Sequence, residues 1–207
     1  MDECNDKQFL LNLDKLGPEG LAVVRENLRK LATQLARRLN GAYYRLKYAS
    51  SPLARQWGGV ELQFHVFEYE LIADLNSLFY AAPYGFARTI AVKRLLHNAV
   101  EFNKHINESI IPEMIRILAD KGIEFSTKDI QESRREWRSV LDELERWRPI
   151  RNKATAHFDS DVPHVVELLE GLDSQKVVDS AIHFWSFTLS VLAKFHDAAV
   201  AAKLADE

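Results

Sequence analysis

Apolar residues recur along this chain at the three-and-four spacing of the α-helix, and almost nowhere at the two-residue spacing of a strand. Pro18, a good first-turn residue, opens a stripe of Leu21, Val24, Leu28, Leu31, Leu35 and Leu39. Ser50, Ser51 and Pro52 punctuate it. A second helix over about 60–80 places Phe64, Phe67, Leu71, Leu75 and Leu78 inward. Pro83 and Gly85 separate it from a third over about 86–111, where Pro112 predicts a kink and Gly122 ends the turns that follow. Ser126 with Asp129 spells a helix start, and Trp137, Val140, Leu141, Leu144 and Trp147 form the next stripe. A short acidic helix around 164–169 precedes a last one over about 174–203, striped by Val178, Ile182, Trp185, Leu189, Leu192 and Phe195. With eight glycines and six prolines in 207 residues, no repeat and no linker, the pattern predicts an all-α fold. The expectation is a single up-and-down helical bundle of about five to six helices, one domain over 1–207 with 1–17 as a peripheral N-terminal segment.

Such a chain is long enough to bury a sizeable core. Its one cysteine, Cys4, cannot form a disulfide within the chain, which fits a reducing compartment. No apolar run reaches membrane-spanning length, and the first residues carry acids where a signal peptide would carry a basic start. The expectation is a cytoplasmic protein with no membrane partner. A net charge of −3 argues against a nucleic-acid coat protein but not against an enzyme with a local basic cleft. Charge is uneven: Arg25, Arg29, Lys30, Arg37, Arg38, Arg45 and Lys47 face only Glu26 between Leu21 and Tyr48. Arg134, Arg135, Arg138, Arg146, Arg148, Arg151 and Lys153 crowd a second stretch. Each set reads as a solvated helix face or as an electrostatic footprint.

The second basic stretch runs into RNKATAH, from Arg151 to His157. Arginine offers a fork of donors suited to phosphate oxygens and keeps its charge. Histidine moves protons near neutral pH, and asparagine both donates and accepts. In one ideal helix Arg151 and His157 stand about 120° apart, so they do not share a face. Pro149 disfavours helical geometry at Arg148 and suits the first turn of a new helix, which predicts a break there and a site at a bend. The plain alternative is a structural histidine, since His157 also continues a stripe from Ile150 and Ala154.

A tryptophan-bearing helix, then RNKATAHFD, then a final apolar helix resembles the HEPN superfamily, in particular its abortive-infection branch, over roughly 86–195. The resemblance implies a metal-independent endoribonuclease, acting as a toxin or phage-defence effector, that cuts RNA by 2′-hydroxyl attack. Arg151 would hold the scissile phosphate, Asn152 would orient it, and His157 would serve as general acid or base. Arg146, Arg148 and Lys153 would bind RNA. The resemblance further implies a homodimer with two motifs facing one cleft, and no cofactor. Toxins of this kind that pair with a nucleotidyltransferase carry a tyrosine two residues after the histidine. Here Asp159 stands there, so that regulation is not implied, while another antitoxin protein stays compatible with the chain. The competing reading is a non-catalytic helical interaction or RNA-binding module, which the near-neutral charge favours.

Other constellations carry less. His97, Glu101, His105 and Glu108 share a helix face, as do Glu61, His65 and Glu68, but both sets lie off the apolar stripes and read as solvated or boundary positions rather than a metal site. No Gly-rich phosphate loop or serine elbow is present. Tyr43, Tyr44 and Tyr48 end a basic helix, where they either stack bases or pack.

Overall fold

The computed structural model describes residues 17–154 and 161–201, and every regular element among them is helical. Helix α1 spans Pro18–Lys47 and α2 spans Pro52–Ala81. They form a tight hairpin because Ser51 caps α2, its side chain accepting from the Ala54 N–H at 3.1 Å, with Pro52 in the first turn. The second helix thus starts about a turn after α1 ends, not near 60 as the apolar stripe alone predicts. Its early turns cover α1 with the small surface of Gly58, where a Cβ would come within 3.3 Å of the Leu46 Cα.

Helix α3 spans Phe86–His105 and passes through a wider π turn, Ile106–Ile110, into α4, Ile111–Ala119. The expected disturbance at Pro112 takes that form, since proline has no N–H for the preceding turn and a widened turn absorbs the mismatch. Gly122, at φ +72°, then reverses the chain, and Ile123 returns its N–H to the Leu118 carbonyl at 3.0 Å. Ser126 and Asp129 form the expected capping box that opens α5, Thr127–Glu136. Trp137 is the joint between α5 and α6, which spans Arg138–Ala154. Helices α7, Val162–Glu170, and α8, Ser174–Ala201, complete the order. With α3 and α4 taken as one rod, the described residues make seven helices, one or two more than expected, because the helix that starts at Ser126 is divided at Trp137 into α5 and α6.

Two expectations need correcting. Pro149 does not break the chain: it lies inside α6, which continues to Ala154. Val140, Leu144 and Trp147 are buried before it and Ile150 is half-buried after it, so packing on both sides holds the axis. Pro149 itself is exposed, as is Glu145, whose carbonyl loses its helical donor. On α8 the core face is broader than the predicted one and centred away from Leu189. Of the predicted stripe Val178, Leu192 and Phe195 are buried and Ile182 and Trp185 are half-buried, but Val177, Ala181, Phe184, Phe187, Thr188 and Val191 are buried too, whereas Leu189 is exposed.

The core lies where α2, α3 and α8 meet. Phe67 stacks on Phe102 at 4.3 Å and meets Phe184 edge-on at 5.5 Å. Through this apolar centre α2 threads a polar line that sequence reading put at the boundary. Glu68 is buried and accepts from the Trp185 indole N–H at 3.1 Å, with His65 Nδ1 at 2.8 Å. Burial is tolerated because α8 supplies the donor.

Candidate functional site

Helix α6 presents the basic stretch in separate directions. Arg146 bonds Glu143 at 3.1 Å and stays exposed. Lys176 from α8 also reaches Glu143, at 2.7 Å, so this corner is a local ion network. Arg148 and Arg151 instead turn toward α3. They line a polar cleft of about 260 Å³ with Lys104, Asn107, Glu108 and Glu145 among the other walls. Lys153 points elsewhere, its Nζ 3.4 Å from His164 Nε2 on α7.

At one end of the cleft Arg151 forms an ion pair with Glu101 of α3. Its Nη1 donates to Asn152 Oδ1 at 2.5 Å, so two of the three expected catalytic residues touch. The Arg151 side chain keeps 23% of its surface exposed and Glu101 keeps 37%, which leaves the guanidinium reachable from the cleft. His157, with Phe158 and Asp159, lies outside the described residues. So does Cys4.

Glu101 is the partner that sequence reasoning missed. It stood only as a member of the His97–His105 stripe. The signal available was electrostatic: a half-buried arginine on α6 calls for a carboxylate on whichever helix packs against it, and α3 offers Glu101. Its effect is geometric. A carboxylate that accepts from one edge of a guanidinium fixes the plane in which the remaining donors meet an incoming anion.

The cleft is not purely basic. Lys104, Arg148 and Arg151 stand among Glu101, Glu108 and Glu145. Lys104 lies 3.8 Å from Glu108 and Arg148 lies 3.5 Å from Glu145. At its rim Arg134 donates to Asn107 Oδ1 at 2.5 Å. A bound phosphate would exchange with carboxylates for these cations rather than meet bare charge.

A larger cavity, about 540 Å³, lies elsewhere, between the α1–α2 hairpin and the end of α8. On its wall Glu61 accepts from Arg45 Nη2 at 2.9 Å, and His196 Nε2 stands 3.0 Å from its other oxygen. Burial alone would raise the Glu61 pKa; the bonds from His196 and Arg45 outweigh it and bring the carboxyl down to about 2. Three helices are tied by this triad, which gives it a structural role. Among the described residues no group of histidine, cysteine and carboxylate side chains is arranged to hold a metal ion. No helix there is long and apolar enough to cross a membrane.

No family model, curated protein or solved structure matches this chain.

Proposed function

We propose that the chain is a metal-independent endoribonuclease of the HEPN type, of the toxin or phage-defence kind, working as a homodimer in the cytoplasm. The observation that carries this reading is the Glu101–Arg151–Asn152 cluster: a guanidinium anchored on one edge, with an amide beside it, at the end of a polar cleft. Arg151 stabilises charge as it grows on the phosphate in the transition state. Asn152 orients the phosphate, and His157 takes the 2′-hydroxyl proton or returns one to the leaving 5′-oxygen. The nucleophile belongs to the substrate, so the products are a 2′,3′-cyclic phosphate and a 5′-hydroxyl. Arg148 lines the same cleft and suits an adjacent phosphate. Arg146 and Lys153, directed elsewhere, are at most outer contacts.

One observation favours a second reading, a non-catalytic interaction module: the mixed charge of the cleft resembles an internal ion network as much as a phosphate seat. Incubating a mixed-sequence RNA with the wild type, Arg151→Ala and His157→Ala in excess EDTA decides between them. The ribonuclease reading expects cleavage by the wild type alone, with cyclic-phosphate ends. Wild-type cleavage that needs an added divalent ion, or His157→Ala cutting as fast as the wild type, would overturn it. A folded wild type that cleaves no RNA hands the case to the interaction module.

A further inference from the structure

From Asn27 to Val60 the chain holds seven cationic residues and no acidic one, in a protein whose net charge is −3. The segment covers most of α1 and the start of α2. Lys30, Arg37, Tyr44 and Tyr48 recur on α1 at seven, seven and four residues, within about 40° of one another, on the side away from the buried Leu28, Leu35 and Ala42. All four are exposed, Tyr44 by 53% and Tyr48 by 70%.

The arrangement of the rings is specific. Tyr44 and Tyr48 lie nearly parallel, 8° apart in plane, with centroids 6.2 Å apart, and Tyr43 meets Tyr44 edge-on at 5.4 Å. The Lys47 ammonium stands 5.4 Å from the Tyr48 ring and 5.8 Å from the Tyr43 ring. Arg37 and Arg38 lie about two turns back from Tyr44, and no carboxylate lies within four residues of either along α1. Tyr48 also walls the 540 Å³ cavity, together with Trp57, Leu53 and Arg45. A ladder of aromatic faces, flanked by cations and ending in an aromatic-lined cavity, meets the two requirements of an unpaired polynucleotide: π-faces for bases and positive charge for the backbone. An acidic protein would use the charge but not the parallel exposed rings.

We propose that this outer face of α1 binds single-stranded nucleic acid, with Tyr44 and Tyr48 stacking successive bases, Lys30, Arg37, Arg38 and Lys47 neutralising phosphates, and the cavity behind Tyr48 receiving a base at the strand's end. The choice of RNA over DNA rests on the ribonuclease reading, for which this face is a second foothold on the substrate, separate from the α3–α6 cleft.

The test uses the full chain and a fluorescein-labelled 2′-O-methyl 12-mer, which resists 2′-hydroxyl attack, so that binding is read independently of cleavage. Fluorescence anisotropy should show binding by the wild type that Tyr44→Ala/Tyr48→Ala weakens by at least roughly tenfold. Tyr44→Phe/Tyr48→Phe, which keeps the ring faces, should restore it. Arg37→Gln/Arg38→Gln should flatten the salt dependence by about 0.7 in slope for each phosphate that is no longer neutralised. Equal affinity in the tyrosine-to-alanine variant, no binding at low salt, equally tight binding of a duplex of the same length, or preference for a polyglutamate peptide would each overturn the proposal. Binding that follows the tyrosines while natural RNA is never cut would leave this face standing and sink the ribonuclease; cleavage with tyrosine-independent binding would do the reverse.

Discussion

Arg151 is anchored from two sides, by Glu101 across the helix interface and by Asn152 next to it. A lysine in its place keeps the charge but presents a point in place of a fork, and cannot hold a carboxylate and a phosphate oxygen in one plane. Arg151→Lys is therefore expected to lose about 10²–10³-fold in cleavage rate, the range for removing one preorganised donor from a developing oxyanion. Because the pair is half-exposed, the melting temperature should move by no more than a few degrees. A lysine variant that cleaves at full rate would show that charge alone suffices. Glu61 makes a different residue-scale prediction. Its folded pKa, about 2, lies below the unfolded value of 4.5, so the stabilisation it contributes is fully present above pH 4.5 and is lost as the pH falls toward 2. The shift corresponds to at most about 3 kcal/mol. Denaturant titrations between pH 5 and pH 2 should lose less stability for Glu61→Gln than for the wild type; parallel curves would show that Arg45 and His196 do not hold the carboxylate.

At the scale of helices, the α1–α2 hairpin depends on two adjacent glycines with opposite requirements. A Cβ on Gly58 would press on the Leu46 backbone at 3.3 Å, whereas nothing lies within 4 Å of one on Gly59. Gly59→Ala should then stabilise by about 0.5–1 kcal/mol through helix propensity, and raise the melting temperature by roughly 1–4 °C. Gly58→Val should lower it by several degrees by forcing α1 off α2. Calorimetry that found both changes harmless would mean the hairpin is not closely packed there. Much of this architecture is legible in the sequence, for physical reasons that differ from one element to the next. The α2 stripe from Phe64 to Leu78 is read correctly because one face of a regular helix is buried along its whole length. The capping box at Ser126 is local chemistry and needs no tertiary information. The α8 face is read only in part, with Val178, Leu192 and Phe195 right and Leu189 wrong, because that helix is apolar around much of its girth and contact with α3 and α5 decides which apolar residues are covered. Pro149 misleads because local cost is weighed without the buried turns that flank it. In the site, Arg151 and Asn152 are visible as residue types, but Glu101 becomes meaningful only when α3 is laid beside α6.

The whole molecule offers one chain's Arg151 at the end of α6, and an ideal helical course would carry a residue six places on about 120° away from it. The proposed homodimer removes this difficulty if each half of a shared cleft draws arginine from one chain and histidine from the other, related by a two-fold axis. Complementation tests that arrangement directly. Arg151→Ala and His157→Ala chains, each inactive alone, are unfolded together and refolded at equal concentration. About half of the dimers are then mixed by random pairing, and in each of these one half-site unites an intact Arg151 from one chain with an intact His157 from the other. Roughly a quarter of wild-type cleavage should return. If arginine and histidine must come from the same chain, every site in the mixture lacks one of the two and no activity appears, however well the dimers form. Light scattering on the same sample separates the outcomes: a monomer mass at micromolar concentration rules out the shared cleft, and a dimer mass with no recovered cleavage confines the chemistry to a single chain.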